Sequence, residues 1–516
     1  MIPVDRHYRD LTVALIADLY TERSFLPLWN RSEGFYRDIT DGLVRHALPE
    51  TWALDPVVLL PQAAGTAVPA GDLAQTVAFF DAALLLRTGA MPTGSIWPDW
   101  NEGDRPGSGD ASLDDLKKSS LLSLSLEPMD FTRALDTFAP RNWIYRELLK
   151  AYPASREAIL QYSGLPNIPD PATAGVGRPG EVYPYAGAIA AHLVDKGYLQ
   201  MAPALAASLT TMTQELTIAL SAFQRDYGLE PDGVFGPGSW SYLNTNAADR
   251  YRSIVINLQR ARLLPDKFGD RYLIVNIPTA ELYAFDANDF LAFSMPIVHG
   301  SAAEETRRTR IFRDIMQEVV FGPYWNVPKG IAAKELIPMA QADWNFFPSN
   351  NYEIVDALTP DNGQTFPLSP ETASLVADGR FLLRQRPGEG NALGRVKFLF
   401  PNKHDIYLHD TPSQAAFESS RRDRSHGCIR VSRPAELGAW VLGPQGWDAM
   451  RLAEALATEK QLHFAVTPKI NVYITYLTTF PRPSPGGKIL LAPARDVYGL
   501  DPIDARTLAA VIPWKE

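Results

Sequence analysis

Cysteine is nearly absent from this 516-residue chain, which holds Cys428 alone. One thiol cannot close an intrachain disulfide, so a disulfide-stapled scaffold is excluded. Basic charge is also in short supply: 49 Lys and Arg face 59 Asp and Glu, giving a net charge of -10 and a pI near 5.4. No basic face dominates, which argues against nucleic acid as a partner. No window approaches about 18 uninterrupted apolar residues, so no membrane span is expected. The apolar stretch from Leu11 to Tyr20 is broken by Asp18 and is followed by no small-residue cleavage site, so it does not read as a signal peptide. No internal repeat is evident. What remains is an ordinary globular composition, 46% hydrophobic and 21% charged, at a length that predicts about three domains.

The first 160 or so residues read as helical: Tyr8, Leu11, Leu15 and Leu19 recur at helical spacing, and Leu73 to Leu86 is amphipathic. Trp97 to Asp110 is rich in Gly, Pro and Asp and reads as a loop. Pro166 to Gly187 has the Pro and Gly content of a linker. A helical unit follows, with one stripe at Ile189, Leu193 and Val194 ended by Gly197, and a second at Leu216, Leu220, Phe223 and Tyr227 ended by Gly228. Turn signals at Asp232-Gly233 and Gly236-Pro237 precede a third short helix at Trp240 and Leu243. From Arg271 the period changes to two, with strands expected at Tyr272 to Ile277, Leu282 to Phe285, Val396 to Phe400, Asp405 to Leu408, Ile470 to Tyr476 and Ile489 to Leu491. Pro434 opens a helix with Leu437, Trp440 and Val441 on its buried face. Phe321 to Ala377 is poor in strand signal and reads as an insertion over the β core.

The one cysteine lies in Ser425-His426-Gly427-Cys428, 19 positions after His409. A strand running from Asp405 puts Tyr407 and His409 on one face, a phenol beside an imidazole. Gly427 lets backbone approach a substrate closely and expose its amide. Nucleophile, base and exposed amides are the parts that acyl transfer requires. Two other uses stand beside this one. Cys428 suits a buried structural thiol, and His404, His409, His426 and Cys428 are ligand types that suit zinc, although their two close pairs are not a familiar zinc spacing.

His409-Asp410-Thr411-Pro412, an 11-residue gap, then Arg424-Ser425-His426-Gly427-Cys428-Ile429-Arg430-Val431 resembles the signature of the L,D-transpeptidase catalytic domain. Arg271 to Pro278, Gly322 to Pro328 and Asn391 to Asn402 resemble the large Gram-negative subfamily with a helical scaffold and a capping insertion. Phe223-Gln224, Gly228-Leu229 and Asp232 to Gly236 resemble the three-helix peptidoglycan-binding domain. The resemblance implies a multidomain α+β protein. Its parts would be a helical scaffold (1–165), a linker (166–184), a peptidoglycan-binding-like domain (185–246) and a connecting helix (247–270). A mostly-β L,D-transpeptidase catalytic domain (271–480) with a capping insertion (321–377) and a C-terminal tail (481–516) would follow.

The same resemblance implies a two-step acyl transfer that forms 3-3 cross-links between diaminopimelate residues of peptidoglycan stem peptides. Cys428 would be the nucleophile and His409 the base, oriented by the backbone carbonyl of Asp410. Amides at Gly427 and Cys428 and the Tyr407 hydroxyl would form the oxyanion hole, and His426 would shape the turn. Arg430, Ser425 and Arg424 would bind the donor, with Tyr324 and Trp325 in a lid. No cofactor and no metal are implied. The partners would be donor and acceptor stem peptides and other cell-wall synthesis enzymes, in the periplasm, with the export signal not present in this sequence. Hydrolysis by the same thioester, and a non-catalytic wall-binding scaffold, are the competing functions.

Overall fold

The computed structural model describes residues 35–48, 70–90, 97, 99–100, 135–161, 164–227, 229–244, 247–343, 345–419, 421–483 and 489–509. Most of the expected loop at 97–110, the stripe from Tyr8 to Leu19, and Gly228 lie outside them. The chain divides into two compact units, one of residues 1–268 with 476–516 and one of residues 269–475.

The first unit is helical. Helix Ala70–Thr88 covers the expected amphipathic stretch, and helices Trp143–Gln161 and Ala247–Ala261 pack on each other. Helix Ala247–Ala261 is buried continuously from Ile254 to Ala261, so it is a core element rather than a connector. Its buried Asn257 and Arg260 are answered. Asn257 Oδ1 accepts the Thr478 amide at 2.9 Å, and the fully buried Arg260 reaches Asp504 Oδ2 at 2.6 Å and Asp501 Oδ1 at 2.7 Å. These bonds tie in the end of the chain, which forms the antiparallel pair Thr479–Pro483 and Ile489–Pro493 and helix Asp501–Ala509. The segment expected as a tail from residue 481 is therefore part of the first unit's core.

A second core in this unit gathers Ile189, Leu193, Leu216, Leu220, Phe223 and Phe235. It differs from expectation at residues 166–184, which read as linker. Ile168 and Tyr183 are buried in this core, Gly177 bridges Phe235, and the Trp240 indole N–H donates to the Ile168 carbonyl at 2.6 Å. Pro and Gly set the turns of that stretch, and two isolated apolar side chains anchor it.

The second unit is built on one mixed sheet. Its strands are β1 (Tyr272–Asn276), β2 (Glu281–Asp286), β3 (Phe290–Gly300), β4 (Phe312–Phe321), β9 (Val396–Leu399), β10 (Leu408–His409), β11 (Asp423–Ser425), β12 (Ile429–Val431) and β13 (Leu462–Thr475). The order is β11-β3-β12-β10-β9-β4-β13-β1-β2, and β3 also pairs with β2, so the sheet returns on itself. Every residue of β1 is buried, as expected for a strand covered on both faces. Helix Pro434–Leu442 buries Leu437 and Val441, while Trp440 lies half-buried beneath the Arg271 guanidinium, 3.9 Å from its ring centroid.

The insertion is not strand-poor. It folds its own antiparallel sheet from β5 (Trp325–Asn326), β6 (Tyr352–Asp356), β7 (Thr365–Phe366) and β8 (Phe381–Gln385), in the order β5-β8-β6-β7. Val327, Ile337, Phe347, Ile354 and Leu383 form its core. The strands escape a periodicity reading because they are short and because Glu353 is buried in β6, where it receives Arg384 at 2.6 Å.

Candidate active site

Three adjacent strands make the site, and their alternation decides what it contains. In β10 and β12, which run parallel, Leu408 faces Ile429 and His409 faces Arg430. On the other side, antiparallel β9 sets Phe398 against Leu408 and Lys397 against His409. Leu408, Ile429 and Phe398 are fully buried on one face. The other face therefore carries His409, Arg430 and Lys397 in a row, with Tyr407 and Cys428 one step back on the same side. The expected strand from Asp405 is shorter than the sequence implies, since Asp405 has φ 53 and regular pairing begins at Leu408. Tyr407 and His409 nevertheless share a face, with ring centroids 5.8 Å apart.

Cys428 is half-buried. Its thiol donates to the Asp405 carbonyl at 3.5 Å and receives hydrogen bonds from the Tyr407 hydroxyl and backbone. Burial pushes the thiol up to about 11 against the pull of those donors and of Arg430. His409 is 4% exposed, and its Nδ1 bonds the Asp410 carbonyl at 2.6 Å. Nδ1 is then the protonated nitrogen, because a carbonyl only accepts. Burial, with Arg430 and Lys397 alongside, brings the imidazole down to about 3. These shifts favour a neutral thiol and a neutral imidazole protonated at Nδ1 at neutral pH. Burial thus works against a standing thiolate–imidazolium pair.

The turn before Cys428 is braced from inside. The Ser425 hydroxyl accepts the Gly427 amide at 3.1 Å and donates to the Cys428 carbonyl at 2.5 Å. Thr309 Oγ1 donates to the Gly427 carbonyl at 2.8 Å. Gly427 has φ 122, a conformation that a side chain would strain. Two expectations change here. Ser425 is buried and its hydroxyl is used within the turn, so it shapes the loop instead of facing a peptide. The Gly427 amide is likewise engaged, which leaves the Cys428 amide and the Tyr407 hydroxyl as the oxyanion candidates.

The remaining expected residues scatter. The Asp410 carboxylate turns away from His409 to accept the Arg395 amide at 2.8 Å and the Thr411 amide at 2.7 Å. Gly394 must be glycine for this, because a Cβ there would lie 2.3 Å from that carboxylate. Arg424 is exposed and bonds Ser419. His426 Nε2 is bonded to Glu335 Oε1 at 2.8 Å, and so is directed to the insertion rather than to the thiol. His404 packs on the Phe312 ring, and among the described residues no three His, Cys, Asp or Glu side chains group as metal ligands. Tyr324 and Trp325 pack within the insertion, Tyr324 under Arg384 at 4.2 Å and Trp325 against Tyr352 at 6.2 Å.

Sequence reasoning missed two residues. Glu335 reaches the Cys428 turn at His426 from the insertion and also receives Arg307 at 2.8 Å. Lys397 enters the row beside His409. Neither belongs to a motif. Only the lysine left a trace, as a lone charge alternating with apolar residues in Val396-Lys397-Phe398-Leu399.

Residues 270–461 match the YkuD family, the L,D-transpeptidase catalytic domain. Over those residues the chain is similar to an L,D-transpeptidase catalytic domain. A Haemophilus influenzae protein provisionally named an L,D-transpeptidase is 32% identical over 252 residues, which are 48% of this chain and 48% of that protein. The chain thus matches about half the length of that curated relative. Among solved structures, an L,D-transpeptidase fragment from Xylanimonas cellulosilytica aligns over 60% of this chain and 100% of its own, at 15% identity and a TM-score of 0.17. A fused Zn-dependent amidase/peptidase/peptidoglycan-binding domain-containing protein from Clostridium acetobutylicum aligns over 58% of this chain and 99% of its own, at 11% identity and a TM-score of 0.16. Neither superposition is close enough to carry an argument about this fold. The matched residues 270–461 fall within the β-rich second unit, residues 269–475.

Proposed function

We propose that this protein forms 3-3 cross-links in peptidoglycan through a thioester on Cys428. The observation that carries the reading is the shared sheet face of Cys428, Tyr407 and His409, inside a domain of L,D-transpeptidase type. Cys428 Sγ attacks the carbonyl that joins diaminopimelate to the terminal D-alanine, and His409 Nε2 takes the thiol proton. The Asp410 carbonyl fixes the ring in the tautomer this requires and steadies the imidazolium. The Cys428 amide and the Tyr407 hydroxyl stabilise the oxyanion, a contribution of about 2.7–4 kcal/mol per donor in a well-measured protease. The C–N bond breaks, and D-alanine leaves with the proton from His409. The side-chain amine of a second diaminopimelate then attacks the thioester and loses a proton to His409. The C–S bond breaks, and the sulfur recovers that proton.

In this reading the insertion borders the donor groove, with Tyr324 and Trp325 giving it a rigid body and Glu335 fastening it to the turn at His426. Arg430 meets a donor carboxylate. Residues 185–246 hold the wall as a three-helix peptidoglycan-binding module, and the protein works in the periplasm beside other cell-wall enzymes. Incubation with disaccharide-tetrapeptide, read by mass, tests the reaction. Cross-linked dimer and free D-alanine are expected. Tripeptide without dimer would assign the chain to hydrolysis, and unchanged tetrapeptide would leave it a scaffold.

A further inference from the structure

The face that carries Cys428 also carries two cations that form no ion pair among the described residues. Lys397 on β9 and Arg430 on β12 are the register partners of His409 from either side, so their side chains rise from the same face as the imidazole. Both are half-buried. Arg430 Nε is buried without a hydrogen-bond partner, and among the described residues neither side chain forms an ion pair. Lys397 Nζ lies 5.9 Å from the Tyr407 ring centroid, at the edge of cation–π reach. The carboxylate bearing on Lys397 is Glu318 on β4, which His463 already engages at 3.1 Å. Burial lowers the pKa of both cations, so the fold holds positive charge here at a cost. Elsewhere in this molecule Arg260 is neutralised by Asp501 and Asp504, and Arg384 by Glu353 and Asp361, while the buried Arg262 is met by the Leu86 and His46 carbonyls and the Tyr145 hydroxyl.

We propose that Lys397 and Arg430 together receive one carboxylate of the donor stem peptide, holding its scissile carbonyl over Cys428. This rests on the acyl-transfer reading and adds the residue that reads the donor's charge. Strands spaced at about 4.8 Å put the two backbones roughly 10 Å apart with His409 between them, a gap that side chains of this length can span to reach one carboxylate. Arg430 supplies forked donors and Lys397 a point charge. The donor chemistry presents two suitable groups. The terminal carboxylate lies two bonds from the scissile nitrogen, and diaminopimelate carries another at the far end of its side chain. A carboxamide at the group actually bound would leave both cations unanswered and be selected against.

The test uses the full chain and three donors: disaccharide-tetrapeptide, the same donor with its terminal carboxylate amidated, and the same donor amidated at diaminopimelate. kcat/KM is read from release of D-alanine or its amide by wild type, Lys397→Met and Lys397→Arg. For wild type, one amidated donor is expected to be at least about tenfold worse than the free acid, and which one identifies the group bound. Lys397→Met should bring that ratio close to one by slowing the free acid, and Lys397→Arg should largely keep it. Equal rates for wild type on all three donors would overturn the proposal, as would ratios that survive Lys397→Met. Absence of turnover by wild type on the free acid would instead sink the acyl-transfer reading.

Discussion

Arg260 in the helical unit and Lys397 in the catalytic unit are both withdrawn from much of the solvent, and they are handled in opposite ways. Arg260 is fully buried and meets two carboxylates. Lys397 shares its face with an imidazole, a thiol and a second cation. Completing a charge pair internally fixes an element in place. Leaving one incomplete keeps an electrostatic demand that a ligand can meet. In these two residues the difference separates a group that fixes its own unit from one proposed to meet a ligand.

The largest expected effect lies on the acting side. Cys428→Ser should lower turnover by about 10⁴-fold or more while leaving the thermal midpoint nearly unchanged. A variant with substantial residual turnover would remove the sulfur from the mechanism. On the structural side, Arg260→Met leaves Asp501 and Asp504 buried without their partner. It should cost about 3–5 kcal/mol of the first unit's stability, read by urea unfolding. A loss below about 1 kcal/mol would erase the contrast drawn here.

A pH series sharpens the comparison further. Burial holds His409 near 3 and His299 near 4, whereas the unfolded chain takes up those protons near 6.5. Below that pH the unfolded state binds more protons than the folded one, so stability should fall as pH drops from about 6.5 toward 4. Urea midpoints at pH 7 and pH 5 check this, and His409→Gln should narrow the gap between them. Equal midpoints would contradict the burial argument. The smallest effect belongs to Glu335, whose contacts with His426 and Arg307 are about a third exposed. Glu335→Ala should change stability by less than about 1 kcal/mol and raise the donor KM only a few-fold. A collapse of kcat would mean that the insertion does more than border the groove.

How much of this could be read in the sequence depends on how local the cause is. Tyr407, His409 and Cys428 announced themselves because a strand's alternation and a four-residue turn are short-range patterns. The brace from Ser425 to Gly427 and Cys428 is just as local, yet hydroxyl direction is not written in residue order, and the reading placed Ser425 against substrate. Lys397, marked only as a lone charge in an apolar strand, and Glu335, not marked at all, reach the site for non-local reasons. One enters the site through strand register and the other through an insertion that folds on its own sheet. Residues 166–184 misled by composition, since Pro and Gly outweighed the two anchors Ile168 and Tyr183. Helix Ala247–Ala261 showed its apolar residues but not the carboxylates, some 240 positions later, that make Arg260 tolerable.

The most direct test of the central claim is intact mass after brief incubation with disaccharide-tetrapeptide and acid quench. The account predicts one added acyl group, equal to the donor less D-alanine, mapped to Cys428 and absent from Cys428→Ser. Turnover without such an adduct, or an adduct that persists in the variant, would contradict it.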